Sequence, residues 1–164
     1  DRDGLAFEMS IRDNIALPLI RQRGSRWYVG RAWQSDEAEK AIDLLSIKTR
    51  SADTLIKELS GGNQQKVLFA KWLSVGPRVL VLHEPTQAVD VGARQDILTS
   101  IQKVADSGVG VLLASGEPSD LVEICDRILV LSRDGRVVEL RTDSADEVLE
   151  AVYEQAAPTA GGPA

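Results

Sequence analysis

The sequence predicts an α/β fold in which a helical region comes first and a parallel sheet follows. Up to Gly76-Pro77 the apolar residues recur only at helical spacing. Beyond Pro77, short apolar runs alternate with helical stretches, as parallel strands joined by crossover helices do in a doubly wound sheet. One of those runs, Val79 to Leu82, stops abruptly at His83-Glu84-Pro85. A carboxylate at the carboxyl end of a buried strand sits where open α/β sheets bind their ligands.

In chain order, Asp1 to Met9 is turn-like, and Ser10 can cap a helix from Ile11 to about Ile20, which Pro18 limits. Residues 21–33 mix Arg21, Arg23, Arg26 and Arg31 with Trp27, Tyr28 and Trp33. That mixture suits a partner-contacting strip or a solvated surface loop, and the acidic total favours the loop. Ser35 opens an amphipathic helix to about Ile47, with Ala38, Ala41, Ile42 and Leu45 on one face. A polar, turn-rich stretch (48–58) leads to Ser60-Gly61-Gly62 and a helix to about Ser74 that Gly76-Pro77 ends. Strands follow at Arg78–Leu82, Val109–Ala114 and Arg127–Leu131, with helices at Gly92–Asp106 and Ser119–Cys125 between them. Asp134-Gly135 signals a hairpin to Val137–Leu140, and Ser144-Ala145-Asp146-Glu147 a capping box for a last helix to about Gln155. Three segments result: helical 1–76, alternating 77–155, and an Ala/Pro/Gly tail, 156–164, expected to be disordered.

Composition narrows the function. The chain has 164 residues, 43% apolar and 27% charged, enough for one domain with a sizeable core. No run approaches the roughly 18–20 apolar residues of a membrane span, and no signal-peptide pattern opens the chain. A net charge of −6 disfavours phosphate-backbone binding, so no nucleic-acid partner is expected. Cys125 is the single cysteine, which excludes a disulfide framework within the chain and suits a reducing compartment. The first residue is Asp, and no Gly-x-x-x-x-Gly-Lys-Ser/Thr loop occurs anywhere, so a fragment is expected.

The chemistry gathers in two places. Ser60, Gly61 and Gly62 stand just before an apolar-periodic helix, so backbone N–H groups, a hydroxyl and the helix dipole can all favour an anion such as phosphate. The bland alternative is an ordinary N-cap with a flexible turn. Gln64 and Gln65 are expected to line the helix surface near that anion. Glu84 suits a general base that polarises a water, or else a loop carboxylate held by helix N–H groups. Asp90 can cap the helix that follows.

Leu59-Ser60-Gly61-Gly62-Asn63-Gln64-Gln65 resembles the signature motif of ABC transporter ATP-binding subunits, Val79–Thr86 their Walker B strand, and Ala88-Val89-Asp90 their D-loop. The Asn63-Gln64-Gln65-Lys66 and Asp90-Val91-Gly92-Ala93 wording is most similar to the monosaccharide importers, which carry two cassettes in tandem, and specifically to the second cassette. The resemblance covers nearly all of residues 1–155 and implies a P-loop NTPase-type sheet, incomplete on its N-terminal side, with a helical subdomain. It implies ATP and Mg²⁺, Glu84 as general base, and Ser60, Gly61, Gly62 and Gln64 acting on the γ-phosphate held by a facing cassette. Asp90 would communicate across that cassette pair. It further implies a second cassette (in the same polypeptide or a homodimer), transmembrane permease subunits, indirectly a sugar-binding protein, and a peripheral place on the cytoplasmic face of the plasma (inner) membrane.

Two positions depart from the family pattern. His83 stands where the family has an aspartate that supports Mg²⁺, and imidazole suits a hard, oxygen-preferring cation poorly. A weakened nucleotide site or a tolerated replacement are the readings; a transition-metal ligand finds no Cys/His/Asp cluster to join. Gly116, in Ser115-Gly116-Glu117, stands where the family has a switch histidine on the γ-phosphate, and Glu117 there is an ordinary helix-start carboxylate or a substitute polar group. Both departures favour a non-catalytic cassette as the competing reading. A soluble ABC ATPase working on DNA or ribosomes is disfavoured by the charge and by the sugar-branch wording.

Overall fold

The computed structural model describes residues 4–20, 30–87, 89–132 and 135–156. Packing divides the chain into two compact units, Asp1–Leu112 and Leu113–Ala164.

In the first unit, Ser10 is the extended N-cap of α1 (Ile11–Ala16), and its Oγ accepts from Asp13 N at 3.1 Å. The expected unbroken helix to Ile20 is corrected at Pro18, which has no N–H to donate: Leu17–Leu19 tightens into a 3₁₀ turn. The fully buried Asn14 pins the segment before α1, exchanging hydrogen bonds with the backbone N (2.8 Å) and O (3.0 Å) of Ala6.

Helix α2 (Arg31–Leu45) has Gly30 as its N-cap, five residues before the Ser35 that the sequence suggested. Arg31 to Gln34 tolerate helix, and the Arg31 guanidinium reaches Asp53 at 3.1 Å. Arg31 and Trp33 therefore belong to α2 instead of a loop, while Arg21, Arg23, Arg26, Trp27 and Tyr28 lie outside the described residues. Ser46 closes α2 in the left-handed region (φ +51°), where Ile47 N donates to Ile42 O at 2.9 Å.

Helix α3 (Gly61–Leu73) is capped by Ser74 and followed by Gly76 at φ +69°. Strand β1 (Val79–His83) leads to α4 (Val91–Asp106), a turn at Gly108 with φ +92°, and β2 (Gly110–Ala114). β1 pairs with β2 through that helical crossover, and Gly110 N donates to Arg78 O at 3.0 Å. Leu80 and Leu82 face inward from β1 while Val79 and Val81 face outward. The core gathers Ile11, Ile15, Leu19, Leu45, Ile56, Val67, Ile97 and Leu98, as α1 packs on α2 and α3 and α4 packs on α2 and α3.

In the second unit, α5 (Pro118–Ile124) precedes a hairpin of β3 (Ile128–Leu131) and β4 (Val137–Leu140) in register Ile128↔Leu140, Val130↔Val138. Gly135 (φ +83°) turns it, Ser132 N donates to Arg136 O at 2.8 Å, and Arg127 grips Glu139 with two bonds of 3.0 and 2.8 Å. Asp134 of the expected turn lies outside the described residues. Helix α6 (Ala145–Ala156) packs on α5 and β3, and Glu147 N reaches Ser144 Oγ at 3.4 Å, one arm of the expected capping box.

The strand order differs from the expectation in one respect. The β1–β2 pair has the crossover of a doubly wound sheet, and β3 and β4 form the antiparallel hairpin that Asp134-Gly135 signals, but that hairpin is a separate two-stranded sheet instead of β3 joining β1 and β2. A short turn brings that edge to β3 at little entropic cost. The expected division at residue 76 rests on the change of sequence pattern; α3 and α4, on either side of it, pack on each other within the first unit. Residues 157–164 of the expected tail lie outside the described residues. Among the described residues, no helix is long and apolar enough to cross a membrane.

Candidate nucleotide site

The N-terminus of α3 presents bare backbone donors. Ser60 is extended (φ −64°, ψ 157°) and its side chain makes no capping bond to the helix. The first bond inside the turn is Gln64 N to Ser60 O at 2.9 Å, so the N–H groups of Gly61, Gly62 and Asn63 have no intrahelical acceptor. The Ser60 hydroxyl instead accepts from Asn63 Nδ2 at 2.9 Å, and Asn63 Oδ1 accepts from Lys48 N at 2.8 Å.

The two glycines differ. A Cβ at Gly61 would meet nothing within 4 Å, whereas one at Gly62 would stand 2.7 Å from Ala93 Cβ at the start of α4. Gly62 is thus a packing glycine, needed for close approach of two helices. Nothing in the chain itself requires Gly61.

Gln64 departs from the expectation. It is buried, and its Nε2 donates to Ile56 O at 3.1 Å and Leu59 O at 3.0 Å, stapling the turn before the loop instead of facing a ligand. Its Oε1 finds no hydrogen-bond partner among the described residues. Burial of α3's inner face drives this, since Gln64 and Val67 lie on the same stripe. Gln65 lines a cleft of about 420 Å³ with Phe69, Trp72, Val79, Val81 and His83. Those apolar walls offer a phosphate little to bind.

At the end of β1, Glu84 is half-buried with φ +48°, one of two non-glycine residues in the left-handed region among the described residues. For a side chain bearing Cβ this conformation costs roughly 1–2 kcal/mol, and such strain concentrates at functional sites. Gln87 N donates to Glu84 O at 3.2 Å, and Pro85 and Thr86 are buried. These contacts hold Glu84 where the strand alone would not. His83 is exposed, on the outward face of β1.

Asp90 caps α4, its Oδ1 accepting from Ala93 N at 2.9 Å. Ala93 also abuts Gly62, so the structure brings the Ser60–Gly62 loop and the Asp90 turn together. Ala88 of the expected D-loop lies outside the described residues. Gly116 belongs to the second unit and is exposed; beside it Ser115 Oγ accepts from Glu117 N at 3.1 Å.

A basic cluster backs the loop. Lys66 is buried yet carries its ammonium to Ser46 O (3.2 Å) and to Asp96 (3.4 Å), and Lys48 reaches the same carboxylate at 3.2 Å. The Lys48 hydrogen bond, with the Lys66 charge behind it, holds the Asp96 carboxyl below the usual carboxylate range. Sequence reasoning missed Asn63, Lys66 and Asp96. Only Asn63 carried a signal, an amide three residues after an N-cap serine.

For ATP the donor set fits: unspent N–H groups, a hydroxyl and a glycine open to approach can meet a phosphate. For Mg²⁺, which takes one or two carboxylates together with substrate phosphates, His83 contributes nothing, since it offers nitrogen where a hard cation seeks oxygen.

The fold and these two loops define the class as an α/β nucleotide-binding cassette. Residues 2–87, just over half of the chain, match the family model described as ABC transporter. The chain is 45% identical over 130 residues to the ribose import ATP-binding protein RbsA of Cereibacter sphaeroides, covering 79% of this chain and 26% of that protein. It is 39% identical over 146 residues to RbsA of Bacillus licheniformis (88% and 30%). With the arabinose import ATP-binding protein AraG of Pectobacterium atrosepticum it shares 41% over 136 residues (82% and 27%). The dimeric post-hydrolysis structure of the ATP-binding cassette MJ0796 bound to ADP and Pi superposes with TM-score 0.67 at 25% identity, covering 85% of this chain and 60% of that one. The chain belongs to the ABC transporter family, as part of an ATP-binding cassette. It spans between 26 and 30% of the length of these sugar-import relatives.

Proposed function

We propose that this chain is part of the ATP-hydrolysing, energy-coupling subunit of an ABC importer for a monosaccharide. Residues 1–76 act as the signature-bearing helical subdomain and 77–155 as part of the nucleotide core. Ser60, Gly61 and Gly62 close over the γ-phosphate of ATP held by a facing cassette, in the same polypeptide or a second copy. Glu84 accepts a proton from the attacking water at the other composite site, and Asp90 communicates between the two. Permease subunits and, through them, a sugar-binding protein complete the assembly, at the cytoplasmic face of the inner membrane.

The observation that carries this reading is the start of α3, where an exposed serine leaves its own helix uncapped beside a glycine that the chain does not need. The relatives named as ribose and arabinose import proteins support the substrate class. This stretch alone, lacking a Gly-x-x-x-x-Gly-Lys-Ser/Thr loop, is expected to hydrolyse no ATP.

Glu84→Gln in the assembled transporter tests the chemistry. The steady-state ATPase rate is expected to fall roughly a hundredfold while ATP binding persists, as for loss of a general base. An unchanged rate would remove Glu84 from the reaction. His83 favours a second reading, a non-catalytic cassette that completes its partner's site. In that case Glu84→Gln leaves turnover intact, while a bulky replacement of Ser60 still abolishes it.

A further inference from the structure

We propose that Asn63 is the positioning residue that turns the Ser60 hydroxyl into a hydrogen-bond donor for the facing phosphate. The inference rests on the reading above, in which Ser60 meets that phosphate.

A serine hydroxyl has one proton to give and lone pairs to accept with. At most helix starts the N-cap oxygen is spent accepting from a backbone N–H of the first turn. Here it is not: Ser60 makes no capping bond, and Asn63 Nδ2, 2.9 Å away, donates to its Oγ. The orientation of the amide is fixed by its other end. Lys48 N is a donor, so the atom 2.8 Å from it must be the carbonyl oxygen Oδ1, and the NH₂ is left to face Ser60.

Ser60 Oγ therefore accepts a hydrogen bond from behind, which leaves its own O–H to donate away from Asn63. Ser60 is exposed, so that donor is available to an anion arriving from solvent. An anion needs donors, and a serine using its proton internally would present only lone pairs.

The support for Asn63 is itself anchored. Lys48 lies in the short segment after α2, and its ammonium holds Asp96 of α4 at 3.2 Å, the same carboxylate that the buried Lys66 of α3 approaches. The hydroxyl direction is thus set through α3, α4 and the segment that follows α2. In water such a bond biases the rotor modestly; in a closed, dry site a misdirected hydroxyl would confront the phosphate with a lone pair.

The test is a mutant cycle read as maximal ATPase rate and KM for ATP in the assembled transporter, with thermal midpoints as the folding check. Ser60→Ala should lower the rate roughly ten- to a hundredfold, the range for removing one donor to a reacting anion. Asn63→Ala should lower it about three- to tenfold, as loss of an orienting hydrogen bond does. The double variant should match Ser60→Ala, because Asn63 acts only through Ser60. Asn63→Asp keeps the bond to Lys48 N but presents an acceptor to Ser60, so it should fall to the level of Ser60→Ala at an unchanged thermal midpoint.

Native activity in Asn63→Ala or Asn63→Asp beside an impaired Ser60→Ala would overturn the positioning role and leave the loop reading intact. Multiplicative losses in the double variant would also overturn it. Native activity in Ser60→Ala would overturn both.

Discussion

The start of α3 and the end of β1 are the two places where this chain offers chemistry, and they are built in opposite ways. The helix start is unstrained: its donors are free because ordinary helix geometry leaves them so, and Ser60 is steered by one amide. The strand end is strained: Glu84 sits at φ +48°, held by the turn to Gln87 and by buried neighbours. A binding loop can take its groups from regular structure, whereas a single carboxylate aimed off a strand end needs a backbone that regular structure does not supply. Variants at the helix start should therefore change function without changing the fold, unless they touch the packing behind it.

That contrast is broken or sharpened most strongly at the two glycines. Gly62→Ala forces a Cβ to within 2.7 Å of Ala93 Cβ, and should destabilise the first unit by about 1–3 kcal/mol in chemical denaturation. Gly61→Ala meets open space and should leave the fold unchanged or firmer by up to about 1 kcal/mol, yet abolish ATP-driven turnover. If Gly61→Ala turned over normally, no phosphate would approach that glycine closely.

A somewhat smaller effect is expected at Asp96, which supports only the helix start. Asp96→Asn leaves the buried Lys66 ammonium without its carboxylate, at a cost of roughly 1–2 kcal/mol that urea unfolding would measure. The pH dependence has a definite sign. Because the folded carboxyl is held below its ordinary value, its contribution is fully present above the unfolded value, about 3.9, and is lost as pH falls through the folded value. Asp53, lowered chiefly by its bond from Arg12, behaves alike. Asp96→Asn should flatten the acid limb of the stability curve, and an unchanged limb would show that the pair contributes nothing.

The smallest effect is expected at the strand end. His83 is exposed and outside the packing, so His83→Asp should leave the unfolding free energy within about 0.5 kcal/mol of native, the usual range for surface changes. Titrating Mg-ATP into the intact protein should then reveal a gain in Mg²⁺-dependent binding. Unaltered binding would show that the native histidine is a tolerated replacement.

Much of this was legible in the sequence. The N-caps at Ser10 and Asp90 and the helix stops at Gly76 and Gly108 follow from local chemistry, and the structure places them as read. At Ser60–Gly62 the sequence made legible the helix start itself, and the structure leaves Ser60 there without a capping bond. Gln64 was not: its carbonyl partners at Ile56 and Leu59 exist only once the preceding turn has folded back. Nor was the strain at Glu84, since glutamate carries no left-handed preference and tertiary contacts impose it. Ser35 looked like a cap, but Gly30 and the Arg31–Asp53 pair started α2 a turn earlier. Hydrogen bonds between residues distant in sequence, such as Lys48 to Asn63, leave no periodic trace.

The central claim is that the Ser60–Gly62 loop closes on a phosphate held by a facing cassette. ATP-driven sugar uptake by the reconstituted transporter carrying Ser60→Arg tests it most directly, because a bulky side chain at the exposed helix start should block closure without disturbing the fold. Uptake should drop to background while the subunits remain assembled and the thermal midpoint stays native; uptake at the native rate would contradict the claim.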